Sequence, residues 1–173
     1  MFSNFNIEKF KNKKPPKDNS LETFKELKEI SKLRDDEAFV KENDDVDKCF
    51  ASIVGNDKEI SKISQASLPV IKKLKNYFNR PRPKQLAKNF GIKIKDIELK
   101  SMKTPSYPSG HSTQGYLLAE VLKDKYPEKS KELDKKAKDI SDSRNIARAH
   151  YKSDSRLGKQ LGLEMYKYLK DGK

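Results

Sequence analysis

The sequence predicts an all-α fold, a compact single-domain helical bundle, and three observations carry that prediction. Apolar residues recur at spacings of three and four along most of the chain, the period of an amphipathic helix. Charged residues make up 38% of the chain and apolar ones 34%, so the charge must lie on solvated helix faces while the apolar residues gather inward. The 173 residues suffice for one domain that buries a core.

Residues 1–20 read as a flexible or loosely docked N-terminal arm, broken by "KNKKPPKDNS", and residues 21–173 as the helical domain. From Ser20, a candidate cap, Leu21, Phe24, Leu27, Ile30 and Leu33 mark the first helix. "DDVDKCFASIVG" is a short second helix ending at Gly55. A longer helix spans about residues 57–79, with Ile60, Ile63, Leu68, Ile71 and Leu74 inward. Pro69 falls inside it and predicts a kink or a break. "RPRP" ends the stretch, "PKQLAKNFG" holds one or two turns, and "IKIKDIEL" reads as a short extended piece. "HSTQGYLLAEVLKDKY" is helical, with Leu117, Leu118, Val121 and Leu122 buried. Pro127 opens the next helix, through Leu133, Ala137, Ile140 and Ala147, and a last helix covers roughly 151–169.

No apolar run approaches the roughly 20 residues of a membrane helix, so no integral membrane segment is expected. The first 20 residues carry no apolar signal core, which favours a cytoplasmic over a periplasmic location. Cys49 is alone, so no internal disulfide forms. The net charge of +13 is unevenly placed: residues 1–45 hold 10 Lys/Arg against 11 Asp/Glu. Between Lys72 and Lys103 stand 11 basic residues, opposed by Asp96 and Glu98 alone. Such a field attracts anions, whether nucleic acid, acidic headgroups or small phosphates.

Both histidines sit in polar, turn-flanked settings. In "KKLKNYFNRPRP", Lys73 and Arg80 are seven residues apart, within about 20° on one helix face and roughly 10 Å along it. Both can lean onto one anion, with the Arg80 fork free at the helix end. In "YPSGHSTQGYLL", Pro108, Ser109 and Gly110 turn into a helix N-terminus, where free N–H groups suit a phosphate. His111 then stands beside that anion. In "SRNIARAHYKSD", Arg144 and His150 are about 120° apart on a straight helix, so a break near Ala149 is expected. His150 and Asp154, at i and i+4, stack so that the carboxylate fixes one imidazole nitrogen and leaves the other to attack. His-x3-Asp also fits metal spacing, but the surrounding positive charge repels cations, so no metal is expected.

Taken in order, Lys73-x6-Arg80-Pro81, Pro108-Ser109-Gly110-His111 and Ser143-Arg144-x5-His150-x3-Asp154 resemble the signature of the phosphatidic acid phosphatase type 2 superfamily. That superfamily includes the soluble class A non-specific acid phosphatases, which the chain resembles most, and the vanadium haloperoxidases. The resemblance covers residues 73–154. It implies a metal-independent phosphomonoesterase acting on small phosphorylated substrates without a cofactor. His150 would be the nucleophile, Asp154 its orienting partner and His111 the acid–base. Lys73, Arg80 and Arg144, with N–H groups near Ser109 and Gly110, would hold the phosphate. The alternatives are a vanadate-dependent haloperoxidase, usually a much longer chain, and a basic anion- or nucleic-acid-binding protein on the same scaffold. No aromatic-lined strand-binding groove supports nucleic acid. Substrate and oligomeric state are not legible in the sequence.

Overall fold

The computed structural model describes residues 1–172, which fold into helices joined by short turns, with no strand among them. The helices are α1 (Glu8–Lys11), α2 (Leu21–Ser31), α3 (Glu37–Glu42), α4 (Val46–Val54), α5 (Lys58–Phe78), α6 (Pro83–Ala87), α7 (Gly110–Lys125), α8 (Ser130–Ile146) and α9 (Lys152–Asp171). No helix among the described residues is long and apolar enough to cross a membrane.

Helix α7 is the centre, packed chiefly against α8 and α9 and also against α5 and α4. Its Leu117, Leu118 and Leu122 are fully buried, as is Ala119, while Val121 lies at the margin. Each fully buried leucine contributes about 1.5–3 kcal/mol over an exposed one. From α8, Leu133, Ala137 and Ile140 meet this helix. From α9, Leu157, Leu161 and Met165 join the same core.

Local signals act where the sequence places them. The Ser20 hydroxyl accepts the Thr23 N–H at 3.2 Å and starts α2. Gly55, with φ of 86°, ends α4. Pro127 opens a single 3₁₀ turn that leads into α8.

Leu68, expected to face inward, is 52% exposed, and α3 is a helix the periodicity does not predict. α3 carries too few apolar positions to show a period, and only Val40 of it is buried. Pro69 does not break α5, which is continuous from Lys58 to Phe78. Pro69 and Gln65, whose carbonyl it leaves without its helical partner, both lie on the exposed face, open to solvent. "IKIKDIEL" pairs with no strand; Ile92 and Ile94 pack near Leu27 and Leu86, while Ile97 and Leu99 pack near Val40 and Ile146. Residues 1–20 are docked rather than free. Phe2 and Phe10 are buried, Phe5 stands edge-on to Tyr168 of α9, and the Lys13 carbonyl accepts the Tyr107 hydroxyl at 2.6 Å. Three phenylalanines outweigh the solvating effect of the lysines beside them.

Helices α7 and α9 cross closely because α9 has glycines one turn apart. A Cβ on Gly158 would lie 2.6 Å from the Ser109 carbonyl oxygen, and one on Gly162 2.5 Å from that of Thr113. This crossing sets the start of α9, with Asp154, against the start of α7, where the Ser109 N–H donates to the Asp154 carbonyl at 3.0 Å. Gly162→Ala should force the helices apart and cost about 1–3 kcal/mol. Urea denaturation reads this directly, and a variant as stable as the parent would mean that the crossing tolerates a methyl group.

Candidate active site

Three segments converge on one cavity of about 690 Å³: the end of α5 with the turn after it, the start of α7, and the α8–α9 turn. Lys75, Arg82, Gly110, His111 and His150 all line it.

His150 sits in the turn between α8 and α9. Arg148, with φ of 56°, reverses the chain there, and the Asn145 amide donates to the His150 carbonyl at 3.0 Å. The helix break expected near Ala149 is this turn. Its imidazole is buried, with Nδ1–H donating to Asp154 Oδ2 at 2.8 Å. That bond fixes the tautomer, so Nε2 carries the lone pair, facing Arg82 Nη1 at 3.0 Å. Burial first, then Arg82, Lys75 and Arg144, hold its proton affinity well below the ordinary histidine range. The ring is neutral.

Asp154 is the hub. Its Oδ2 also accepts the Ser106 hydroxyl and, at 3.1 Å, the Tyr151 N–H. Its Oδ1 accepts Arg80 Nη1 at 2.7 Å. Burial raises this carboxyl to about 6, against the opposing pull of Arg80 and Ser106.

The two residues read from "KKLKNYFNRPRP" fall elsewhere than expected. Lys73 is exposed and outside the cavity, whereas Lys75 is buried, lines it, and donates from Nζ to the Pro105 carbonyl at 2.7 Å. Two residues along a helix are about 200° apart, so only one of the pair can face inward. Arg80 is not free to face a ligand. The left-handed Asn79 (φ 47°) turns it into the protein, where Nη1 also reaches Ser153, Nη2 meets Glu26 Oε2 at 3.1 Å, and the fork lies 3.7 Å over the Tyr151 ring. Arg82, two residues on, faces the cavity and is held by the carbonyls of Ser101, Thr104 and Ala149. Lys75-x6-Arg82-Pro83 repeats the spacing of Lys73-x6-Arg80-Pro81 two residues later, so the signal was present twice. Burial, with Arg82 as a like charge nearby, lowers the Lys75 ammonium to about 7.

Ser109 caps α7, its hydroxyl accepting the Ser112 N–H at 3.2 Å. With its own N–H spent on Asp154, the N–H groups without an acceptor among the described residues are those of Gly110 and His111. His111 Nε2–H donates to the Asp44 carbonyl at 2.7 Å, which leaves Nδ1 as the nitrogen that titrates. Burial, then Arg144, lowers its proton affinity to about 4.

Arg144 is fully buried beside both imidazoles. Its Nη1 pairs with Asp44 Oδ1 at 3.0 Å, and its Nη2 has no hydrogen-bond partner among the described residues. Asp44, Glu26 and Ser106 left no mark in the sequence, because each acts through side chains brought in from distant segments. The arrangement gathers fixed cations and free N–H groups around a neutral, oriented imidazole, a chemistry that suits an anion.

Two known proteins are similar to part of this chain. Over 88 residues it is 39% identical to the non-specific acid phosphatase of Salmonella typhimurium, a match covering 51% of this chain and 35% of that protein. Over 88 residues it is 38% identical to the non-specific acid phosphatase of Salmonella typhi, with the same shares. The match thus spans about a third of the length of these curated relatives. No family model matches the chain.

Two outcomes follow from this geometry. Arg80→Ala strips the buried Asp154 of its cation and should cost about 3–5 kcal/mol, while Lys73→Ala, on the solvated face, should change stability by less than about 0.5 kcal/mol. Equal losses in urea denaturation would reverse the two placements. Because His111 is held at about 4 against its ordinary 6.5, the unfolded chain takes up a proton between those values that the folded chain does not. The stability tied to it is full above about pH 6.5 and lost as pH falls towards 4. The parent should therefore lose stability more steeply than His111→Gln across that window, and parallel curves would contradict the depressed value.

Proposed function

We propose that the chain is a phosphomonoesterase that passes the phosphoryl group of a small ester through His150 to water. The observation that carries this reading is the neutral His150 imidazole, with Nδ1–H tied to Asp154 and Nε2 turned to a cavity walled by Lys75 and Arg82. The partial similarity to acid phosphatases supports it.

Lys75 and Arg82 take the phosphate oxygens together with the N–H groups of Gly110 and His111. Arg144 takes its place there through the free Nη2. Bound phosphate neutralises this cluster, so Lys75 stays charged and His111 gains proton affinity as the repulsion of Arg144 is offset. Arg82 Nη1 moves from His150 Nε2 to an oxygen, which frees the lone pair. Nε2 then attacks phosphorus in line as the ester P–O bond breaks, and Asp154 stabilises the imidazolium that results. His111 Nδ1 gives its proton to the departing alkoxide. In the second half it takes a proton from water, the hydroxide attacks phosphorus, and the P–N bond breaks to release phosphate. Arg80 and Glu26 hold Asp154 and the start of α9 in place. Fixed cations supply the charge stabilisation, so no metal is required in this scheme.

Activity should therefore persist in EDTA, and vanadate should inhibit as a five-coordinate phosphate mimic. Loss in chelator that a divalent ion restores would overturn the metal-free scheme. The two histidines should also differ in kind. His150→Ala should abolish turnover with every ester. His111→Ala should still trap phosphate from nitrophenyl phosphate, whose leaving group departs without a proton, and release it slowly, while alkyl phosphates stay almost untouched. Rapid quench with labelled substrate and alkaline work-up reads this, and labelling of the His150 variant would refute its role as nucleophile.

A further inference from the structure

The catalytic cavity does not stop at the histidines. It continues along the groove between α5 and α7 to Leu68, Pro69 and Gln114. Two contacts show its direction. A Cβ on Gly110 would lie 3.5 Å from Ile71 Cγ2 and 3.8 Å from Lys75 Cε, at the phosphate end. One turn on, the Gln114 amide donates to the Ser64 carbonyl at 3.0 Å and to Ser67 Oγ at 3.3 Å, further back along α5. The two helices thus run side by side in opposite senses, and the groove leads from Lys75 past His111 towards Leu68. Leu68 is seven residues from Lys75, roughly 10 Å along the helix and on nearly the same face.

The chemistry of this far end differs from that of the phosphate end. Leu68 is 52% exposed, and of the four large apolar side chains exposed among the described residues it alone lines the cavity. Pro69 beside it is exposed as well. The Gln114 amide is engaged as described and the Gln65 amide donates to Ser61 Oγ at 3.2 Å, while Leu68, Pro69 and Ile71 form an apolar stretch of the wall. Ser67 Oγ donates to the Ser64 carbonyl. An apolar group seated there would cover a leucine that is now exposed to solvent. Lys72, at the rim, lies one turn nearer the phosphate end.

From this we infer that the α5–α7 groove is the leaving-group subsite, that it takes monoesters of apolar alcohols, alkyl or aryl, and that Leu68 is its main specificity-determining residue. This rests on the phosphomonoesterase reading above.

The test compares hexyl phosphate with glycerol phosphate, whose leaving oxygens are both alkyl and make the same demand on His111. The parent should show a kcat/KM for hexyl phosphate about tenfold or more above that for glycerol phosphate. In Leu68→Ser that ratio should fall several-fold. Leu21→Ser, which removes a still more exposed leucine on α2 outside the cavity, should keep the parental ratio. Hydrolysis of both esters with a ratio near one, or a ratio that Leu68→Ser leaves unchanged, would overturn the subsite while leaving the phosphomonoesterase reading intact. Hydrolysis of neither ester, nor of nitrophenyl phosphate, would overturn that reading and this one with it.

Discussion

The Asp154 carboxylate ties together segments that lie far apart in the chain. It accepts from Arg80, Ser106, the Tyr151 N–H and His150, which places α5, the 104–109 loop and α9 around two oxygen atoms. A buried carboxylate is tolerable only when its lone pairs are satisfied and a cation stands opposite, and Arg80 supplies that cation. Arg80 in turn needs Glu26, which draws in α2. The chain of dependence runs from α2 through Arg80 and Asp154 to the orientation of one imidazole ring. A group with this many partners has little freedom, and that rigidity is what a nucleophile requires.

The electrostatics follow from packing positive charge with few counter-charges. Lys75, Arg82, Arg144 and both histidines lie close enough to lower one another's affinity for protons, and burial adds to the effect. Glu26 and Asp154 are committed to Arg80, and Asp44 to Arg144. The remaining surplus of positive charge has no partner within the chain. Under the proposed function, a dianion would offset that repulsion as it binds.

Much of the candidate site's geometry was legible because its parts are local. The PSGH turn and the His150–Asp154 pair depend on neighbours within one helical turn, and helical period decides which face they share. The basic segment was misread for an instructive reason. Two overlapping K-x6-RP patterns, offset by two residues, satisfy the same spacing, and spacing alone cannot tell them apart. The structure separates them because α5 has one buried face, and only Lys75 lies on it. Arg80 and Arg82 then divide the work, one behind the carboxylate and one before the imidazole.

The sequence by itself determined the helical class, the caps and breaks, the two histidines and the carboxylate beside one of them. These rest on propensity, period and contacts four residues long. Only the tertiary structure decided which lysine enters the cavity, that Arg80 serves Asp154, and that Glu26, Asp44 and Ser106 take part. It also decided that residues 1–20 dock on the core, since the value of a buried phenylalanine depends on the surface that receives it. Such contacts span 100 residues between Asp44 and Arg144 and 127 between Glu26 and Ser153. Their partners are chosen by which helix faces meet, and no local pattern in the chain carries that information.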